Sequence, residues 1–129
     1  MEFLEIDHVV MMHDDLIVKF GGLAGIRDKK LLESALMHPR LLYSIAGESD
    51  PHVLAGAYCY HLIQNHSFVD GNKRIGILAM LTFLGMNNIF ISRIPNDELY
   101  NLAICIASSK VEETLITKFL KKYEVLFPK

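Results

Sequence analysis

Two long uncharged segments, separated by a short polar break, constrain this chain more than any other feature. Pro51 to Val69 and Ile75 to Ser92 contain no Asp, Glu, Lys or Arg. Each is near the length that spans a bilayer. The first, however, carries His52, His61, Gln64, Asn65 and His66, and the second is interrupted by Gly85, Asn87 and Asn88. Both therefore read as buried helices, apolar nearly all round, of a soluble protein. Such helices need other helices around them.

The rest of the chain supplies those helices. Apolar residues at Ile6, Val9, Val10, Leu16, Ile17 and Phe20 recur at helical spacing from Glu5 to Phe20, and Gly21, Gly22 and Gly25 stop the run. Asp28 is placed to cap a second helix through about Met37, which the His38-Pro39 pair ends or bends. Leu41 to Gly47 reads as an extended stretch or as the end of that helix. Asp50-Pro51 is an N-cap followed by a first helical position, and the helix runs to about Gln64. Asn65 to Gly71 forms a tight polar loop. A second buried helix follows from Asn72 to about Met86, closed by Asn87-Asn88, with Ile89 to Ile91 briefly extended. Asn96 is expected to cap another helix with Asp97 and Glu98 in its first turn. Ser109 with Glu112 matches a capping box for a last helix ending near Lys121 or Lys122. The expected fold is all-α, a single domain over 1–129, with about six helices around a central buried helix and at most a short β-hairpin flap.

Composition narrows the class further. At 129 residues, 51% hydrophobic and 22% charged, the chain has enough apolar material for one core. A net charge of −2 argues against broad electrostatic binding of nucleic acid. Cys59 and Cys105 lack metal-ligand spacing and read as reduced thiols, which fits the cytoplasm. The N-terminus has neither the basic flank nor the cleavage site of a signal peptide. His8, His13, His38, His52 and His61 form no metal pattern with a carboxylate and read as structural. Met80, Phe83 and Leu84 read as core, and Lys118, Lys121 and Lys122 as a solvated face.

The break itself, "HSFVDGNKR" from His66 to Arg74, concentrates the polar chemistry. Lys73 and Arg74 fall in the first turn of a helix, where the macrodipole and free N–H groups are already positive. Each exposed cation there costs about 0.3–1 kcal/mol. An anion bound at that point would remove the penalty, because N–H groups, lysine and arginine converge on phosphate oxygens. Gly71 permits a tight turn and close approach. Asp70 is a lone carboxylate beside the anion site, the kind of group that holds Mg²⁺ together with phosphates and water. His66, across the loop, is placed to accept a proton from an incoming hydroxyl. Phe68 would anchor the loop in the core. The alternative is turn chemistry alone, since Asp, Gly and Asn are ordinary loop residues.

The same nine residues resemble the signature of the Fic/Doc superfamily: His, x, Phe, x, an acidic residue, a small residue, Asn, Gly or Lys, then Arg. "MHDDLIVKFGGLAGIRD", Met12 to Asp28, is similar to the N-terminal segment of its death-on-curing (Doc) branch. The resemblance implies a Fic fold, His66 as general base, Asp70 as the Mg²⁺ ligand, and Gly71, Asn72, Lys73 and Arg74 around nucleotide phosphates. It also implies ATP as co-substrate. Fic proteins move AMP onto a protein hydroxyl, whereas the Doc branch phosphorylates a translation factor and is neutralised by a small antitoxin. Lys73 stands where AMP-transferring members have glycine, and Ile77 where they have a second arginine. Both departures are shared with the Doc branch. Ile75 replaces a common threonine, and Leu78 is apolar where the known Doc toxin is polar. The inhibitory pattern of Ser or Thr, three residues, Glu, then Gly or Asn fails at Ser108 and Ser109, so inhibition in trans is expected. The expected function is a Doc-like, ATP-dependent phosphoryl transferase acting on a protein Ser or Thr. The alternatives are AMP transfer and a decayed Fic-fold binding module.

Overall fold

The computed structural model describes residues 1–125. They form six helices: α1 (Ile6–Phe20), α2 (Lys29–Ser44), α3 (Pro51–Asn65), α4 (Asn72–Met86), α5 (Asn96–Ala107) and α6 (Glu113–Lys122). The described residues contain no strand longer than the isolated bridges Ile26–Phe68 and Ile91–Glu124. The all-α class stands, and no helix among these residues is long and apolar enough to cross a membrane.

The two uncharged segments become an antiparallel helical hairpin at the centre. Ile63 of α3 lies against Gly76 of α4, and Tyr58 packs on Phe83 with ring centroids 5.1 Å apart. Gly76 sets how closely the pair approaches. A Cβ there would fall 2.7 Å from Ile63 Cγ1 and 3.2 Å from the Cys59 carbonyl. α3 also packs on α2, α5 and α6, and its Leu54, Ala55, Tyr58, Cys59, Leu62 and Ile63 are fully buried. Met80, Phe83 and Leu84 of α4 complete this core.

Asp50 starts α3 as expected. Its Oδ1 accepts the His52 N–H at 2.9 Å, and its Oδ2 meets Lys121 Nζ of α6 at 2.8 Å. Lys121 is thus an ion-pair partner rather than part of a purely solvated face. Three histidines tie helices together. His52, buried, lies between Asp50 and Glu124. His38 and His61 stack at 3.7 Å between α2 and α3, and His61 reaches Glu113 of α6 at 3.1 Å.

Two local expectations are corrected and a third is decided. Of the readings left open at the His38-Pro39 pair and at Leu41 to Gly47, the continuing helix is the one seen: α2 runs to Ser44, with Pro39 buried inside it. A proline within a helix costs about 3 kcal/mol or more. Here the extra turns place Leu42 on the core and Arg40 against Glu5, at 2.9 Å, and Phe3. Tertiary packing overrides the local break. Ser109 does not cap α6, which starts at Glu113 without a side-chain cap. Ser109 instead takes φ 57° in a Schellman turn ending α5, where Ser109 N–H donates to the Ile106 carbonyl and Lys110 N–H to that of Cys105. At α5 the N-cap is Pro95 rather than Asn96.

Two predictions follow from this packing. Gly76→Ala should destabilise by about 1–2 kcal/mol net, overpacking outweighing the helix propensity of alanine. Its cost should shrink in an Ile63→Ala background, as measured by denaturant unfolding; strict additivity would refute the close approach. The second concerns acid. Partial burial pushes the Asp50 carboxyl up, but hydrogen bonds from Lys121 and His52 outweigh it and hold the group at about 2, below the ordinary 3.8. A depressed folded value means the contribution is complete above 3.8 and lost as pH falls toward 2. Asp50→Asn keeps a good cap but removes this ionisation, so its stability should fall less steeply between pH 4 and 2.

Candidate active site

The polar break is held from three sides. α3 ends at Asn65, whose Nδ2 donates to the Leu31 carbonyl at 2.9 Å. His66 then turns the chain in a left-handed conformation, φ 47° and ψ 49°. Glycine adopts that conformation with little penalty and other residues adopt it at a cost, although histidine is among those enriched there. Arg27 fixes the helix end, donating from Nε to the His66 carbonyl at 2.6 Å and from Nη2 to the Asn65 carbonyl at 3.1 Å. A cation among the last carbonyls of a helix also suits its dipole. Residues 25–28 run beside the loop, with Arg27 and Asp28 N–H on the Ser67 carbonyl and Val69 N–H on that of Gly25.

Beneath the loop, Phe68 is buried as expected and stacks on buried His13 at 3.8 Å and 11°. His13 Nε2 lies 2.7 Å from the Asp70 carbonyl. A carbonyl only accepts, so Nε2 carries the proton and the buried Nδ1 has no partner among the described residues. Asn72 closes the loop from the other end. Its Oδ1 accepts the Phe68 N–H at 3.0 Å and its Nδ2 donates to the Phe68 carbonyl at 2.9 Å.

The loop then becomes a helix start. Gly71 takes φ 75°, which strains any other residue, and a Cβ would sit tightly at 3.3 Å from His13 Nε2 and 3.4 Å from Ile17 Cδ1. As N-cap it offers no capping oxygen, so the first-turn N–H groups of α4 have no side-chain cap. Lys73 and Arg74 are exposed in that turn. The Arg74 guanidinium lies over the Phe20 ring, 5.1 Å from its centroid. A cavity of about 260 Å³ opens here, lined by Asp70, Gly71, Asn72, Lys73, Arg74 and Tyr100 of α5.

Asp70 sits exposed at its edge. Its Oδ2 accepts from Leu23 N–H at 3.2 Å and its Oδ1 from Gly71 N–H at 2.8 Å. Those two bonds, then Arg74 and Lys73, hold its carboxyl below the ordinary range. A Cβ on Gly22 would fall 2.7 Å from Asp70 Oδ2, so the glycine leaves room for this carboxylate. Each oxygen has accepted one N–H and keeps further acceptor capacity. Among the described residues no three His, Cys, Asp or Glu side chains converge as a metal cage. A lone ionised carboxylate beside a phosphate cradle fits Mg²⁺, which takes one or two carboxylates plus phosphates and water.

The structure thus gathers Asp70 to Arg74 at one cavity. His66 stands at the far end of the same loop, exposed and outside the cavity lining. The side chain of Asn72 is spent on Phe68 and not on the cavity. Sequence reasoning missed Arg27, Gly22 and Tyr100 as neighbours of the site, and took His13 as structural without seeing that it supports this loop. The Gly21-Gly22 pair ahead of Arg27-Asp28 was a signal of close approach; nothing local marked Tyr100.

The sequence profile of the Fic/DOC family matches residues 3–84, a span that contains the loop and its supports on α1 and α2. The chain is 23% identical over 122 residues, 95% of each chain, to a protein named protein kinase doc from Escherichia phage P1. It is 36% identical over 73 residues, 56% of each chain, to a toxin Doc from Mycolicibacterium smegmatis. With that profile covering well over half of its length, from the first residues of the fold through His66 to Arg74, the chain belongs to the Fic/DOC family.

Proposed function

We propose that this protein is a Doc-like toxin that transfers the γ-phosphoryl group of ATP to a Ser or Thr hydroxyl of a protein target. The observation that carries this reading is the single loop that holds an exposed imidazole at one end and an uncapped, cation-bearing helix start at the other. The names of the two relatives, a protein kinase and a toxin, favour the same reading.

In this mechanism the N–H groups of Asn72, Lys73 and Arg74, with the two cationic side chains, bind the phosphates. Asp70 would hold Mg²⁺, which when bound neutralises phosphate charge. His66 takes the proton of the target hydroxyl as its oxygen bonds to the γ-phosphorus. The bond from that phosphorus to the β–γ bridging oxygen breaks, and ADP leaves. A translation factor is the proposed target and the cytoplasm the place of action. A small antitoxin docking near the site is the proposed partner.

AMP transfer would need only a different nucleotide placement, because the attacking hydroxyl and base are the same. Lys73 crowds the backbone cradle that a glycine would leave open. Ile77 is half-buried against the core and brings no cation. Both favour presentation of the γ-phosphorus.

Two outcomes test this reading. Target protein in a cell lysate should take label from ATP labelled at the γ-phosphate and none from the α-phosphate; label from the α-position would make AMP transfer the activity. His66→Gly should slow transfer by at least about a hundred-fold, the lower end of general-base contributions. Because glycine relieves the left-handed strain, the variant should melt at the same temperature or higher. Full activity would remove His66 from the chemistry, and a large fall in melting temperature would make it a folding residue.

A further inference from the structure

The side chain of His66 does not set its own direction. Among the described residues the exposed imidazole makes no hydrogen bond, ion pair or ring contact. Its aim is therefore inherited from its backbone, which sits in the left-handed region at φ 47°. Glycine would make that turn with less strain. A side chain kept in such a turn needs surrounding contacts that hold the strained geometry.

Arg27 supplies them. Its Nε donates to the His66 carbonyl at 2.6 Å and its Nη2 to the Asn65 carbonyl at 3.1 Å. Those carbonyls belong to the two peptide planes that flank the His66 Cα. The rotations of these planes about that Cα are φ and ψ, so one group bonded to both planes restrains both angles. A guanidinium suits the task because its donors form a rigid planar fork. The Arg27 and Asp28 N–H groups take the next carbonyl, that of Ser67, at 2.8 and 3.0 Å. Three successive carbonyls around His66 are thus held by one short segment ahead of α2. Stability alone explains this poorly. Both guanidinium bonds are exposed, and a cation at an exposed helix end contributes little to folding.

Resting on the phosphoryl transfer proposed above, we infer that Arg27 is a positioning residue: by fixing the peptide planes on either side of His66 it aims the imidazole at the incoming hydroxyl. It touches neither nucleotide nor target and acts through His66.

The test follows label from γ-phosphate-labelled ATP, with Mg²⁺, into the protein of a fixed cell lysate. It compares the unmodified protein with Arg27→Ala, Arg27→Lys, His66→Gly and the Arg27→Ala/His66→Gly double variant. Arg27→Ala should lower the maximal rate about 10- to 100-fold, the scale for a reacting group misplaced by about 1 Å. Its KM for ATP should stay within about twofold, because the phosphate cradle lies at the other end of the loop. Its melting temperature should fall by no more than about 5 °C. Arg27→Lys keeps the charge but not the fork, and should remain at least about fivefold slow. In His66→Gly no imidazole is left to aim, so adding Arg27→Ala should change the residual rate by less than about twofold. Full rate in Arg27→Ala or Arg27→Lys, a loss carried by KM, an equal loss in the His66→Gly background, or a collapse in melting temperature would each overturn the positioning role. Failure of the underlying reading looks different: the unmodified protein would itself transfer no γ-label, and both proposals would fall.

Discussion

The side-chain amide of Asn72 grips both backbone groups of Phe68, and the geometry of the site descends from that grip. All four groups are buried, and each would cost about 1–3 kcal/mol if left without a partner. While the grip holds, Phe68 stays on His13 and Gly71 keeps the left-handed turn that begins α4. The first turn of α4, without a side-chain cap, then lies at the cavity lined by Asp70 to Arg74. An asparagine that looked like a phosphate ligand in the sequence is, in the fold, the clasp of the loop, its side chain bonded to both backbone groups of Phe68.

Around this clasp the chain accepts local costs. Cations occupy the positive end of α4, a histidine occupies a turn that glycine would fill with less strain, and the buried His13 Nδ1 has no partner among the described residues. None of these stabilises the free protein. Well-packed scaffolding nearby offsets them: the α3–α4 crossing at Gly76, the Arg27 bonds to the end of α3, and the pairing of residues 25–28 with the loop. Local violations gathered at one spot on an otherwise consistent structure are what a functional site looks like in physical terms.

Much of this was legible in the sequence. The uncharged segments gave α3 and α4, Asp50-Pro51 marked the start of α3, and the polar break from His66 marked the loop between them and the start of α4. What escaped was non-local. Pro39 reads as a stop or a bend because the cost of a missing N–H is local, while the burial of Leu42 and the Arg40 contacts that decide between them come from elsewhere in the chain. Ser109 matches a capping box, yet the same residue also completes a Schellman turn, and its position relative to α5 decides between them. Arg27 and His13 lie 39 and 57 residues from the groups they hold, His66 and Asp70. Tyr100 comes from a helix beyond the matched profile, so neither spacing nor motif pointed to it.

The central claim is that the loop is built before any ligand arrives. Native-state hydrogen exchange at the Phe68 amide tests it most directly, because that N–H is buried and, among the described residues, bonded only to Asn72 Oδ1. If the loop is preformed, this amide exchanges in the free protein only through global unfolding, within about tenfold of the slowest amides of α3 and α4. Adding ATP with Mg²⁺ should then slow it only as much as it slows those core amides. Exchange orders of magnitude faster in the free protein, slowing to the core rate only with nucleotide, would show that the ligand builds the loop and would contradict the account.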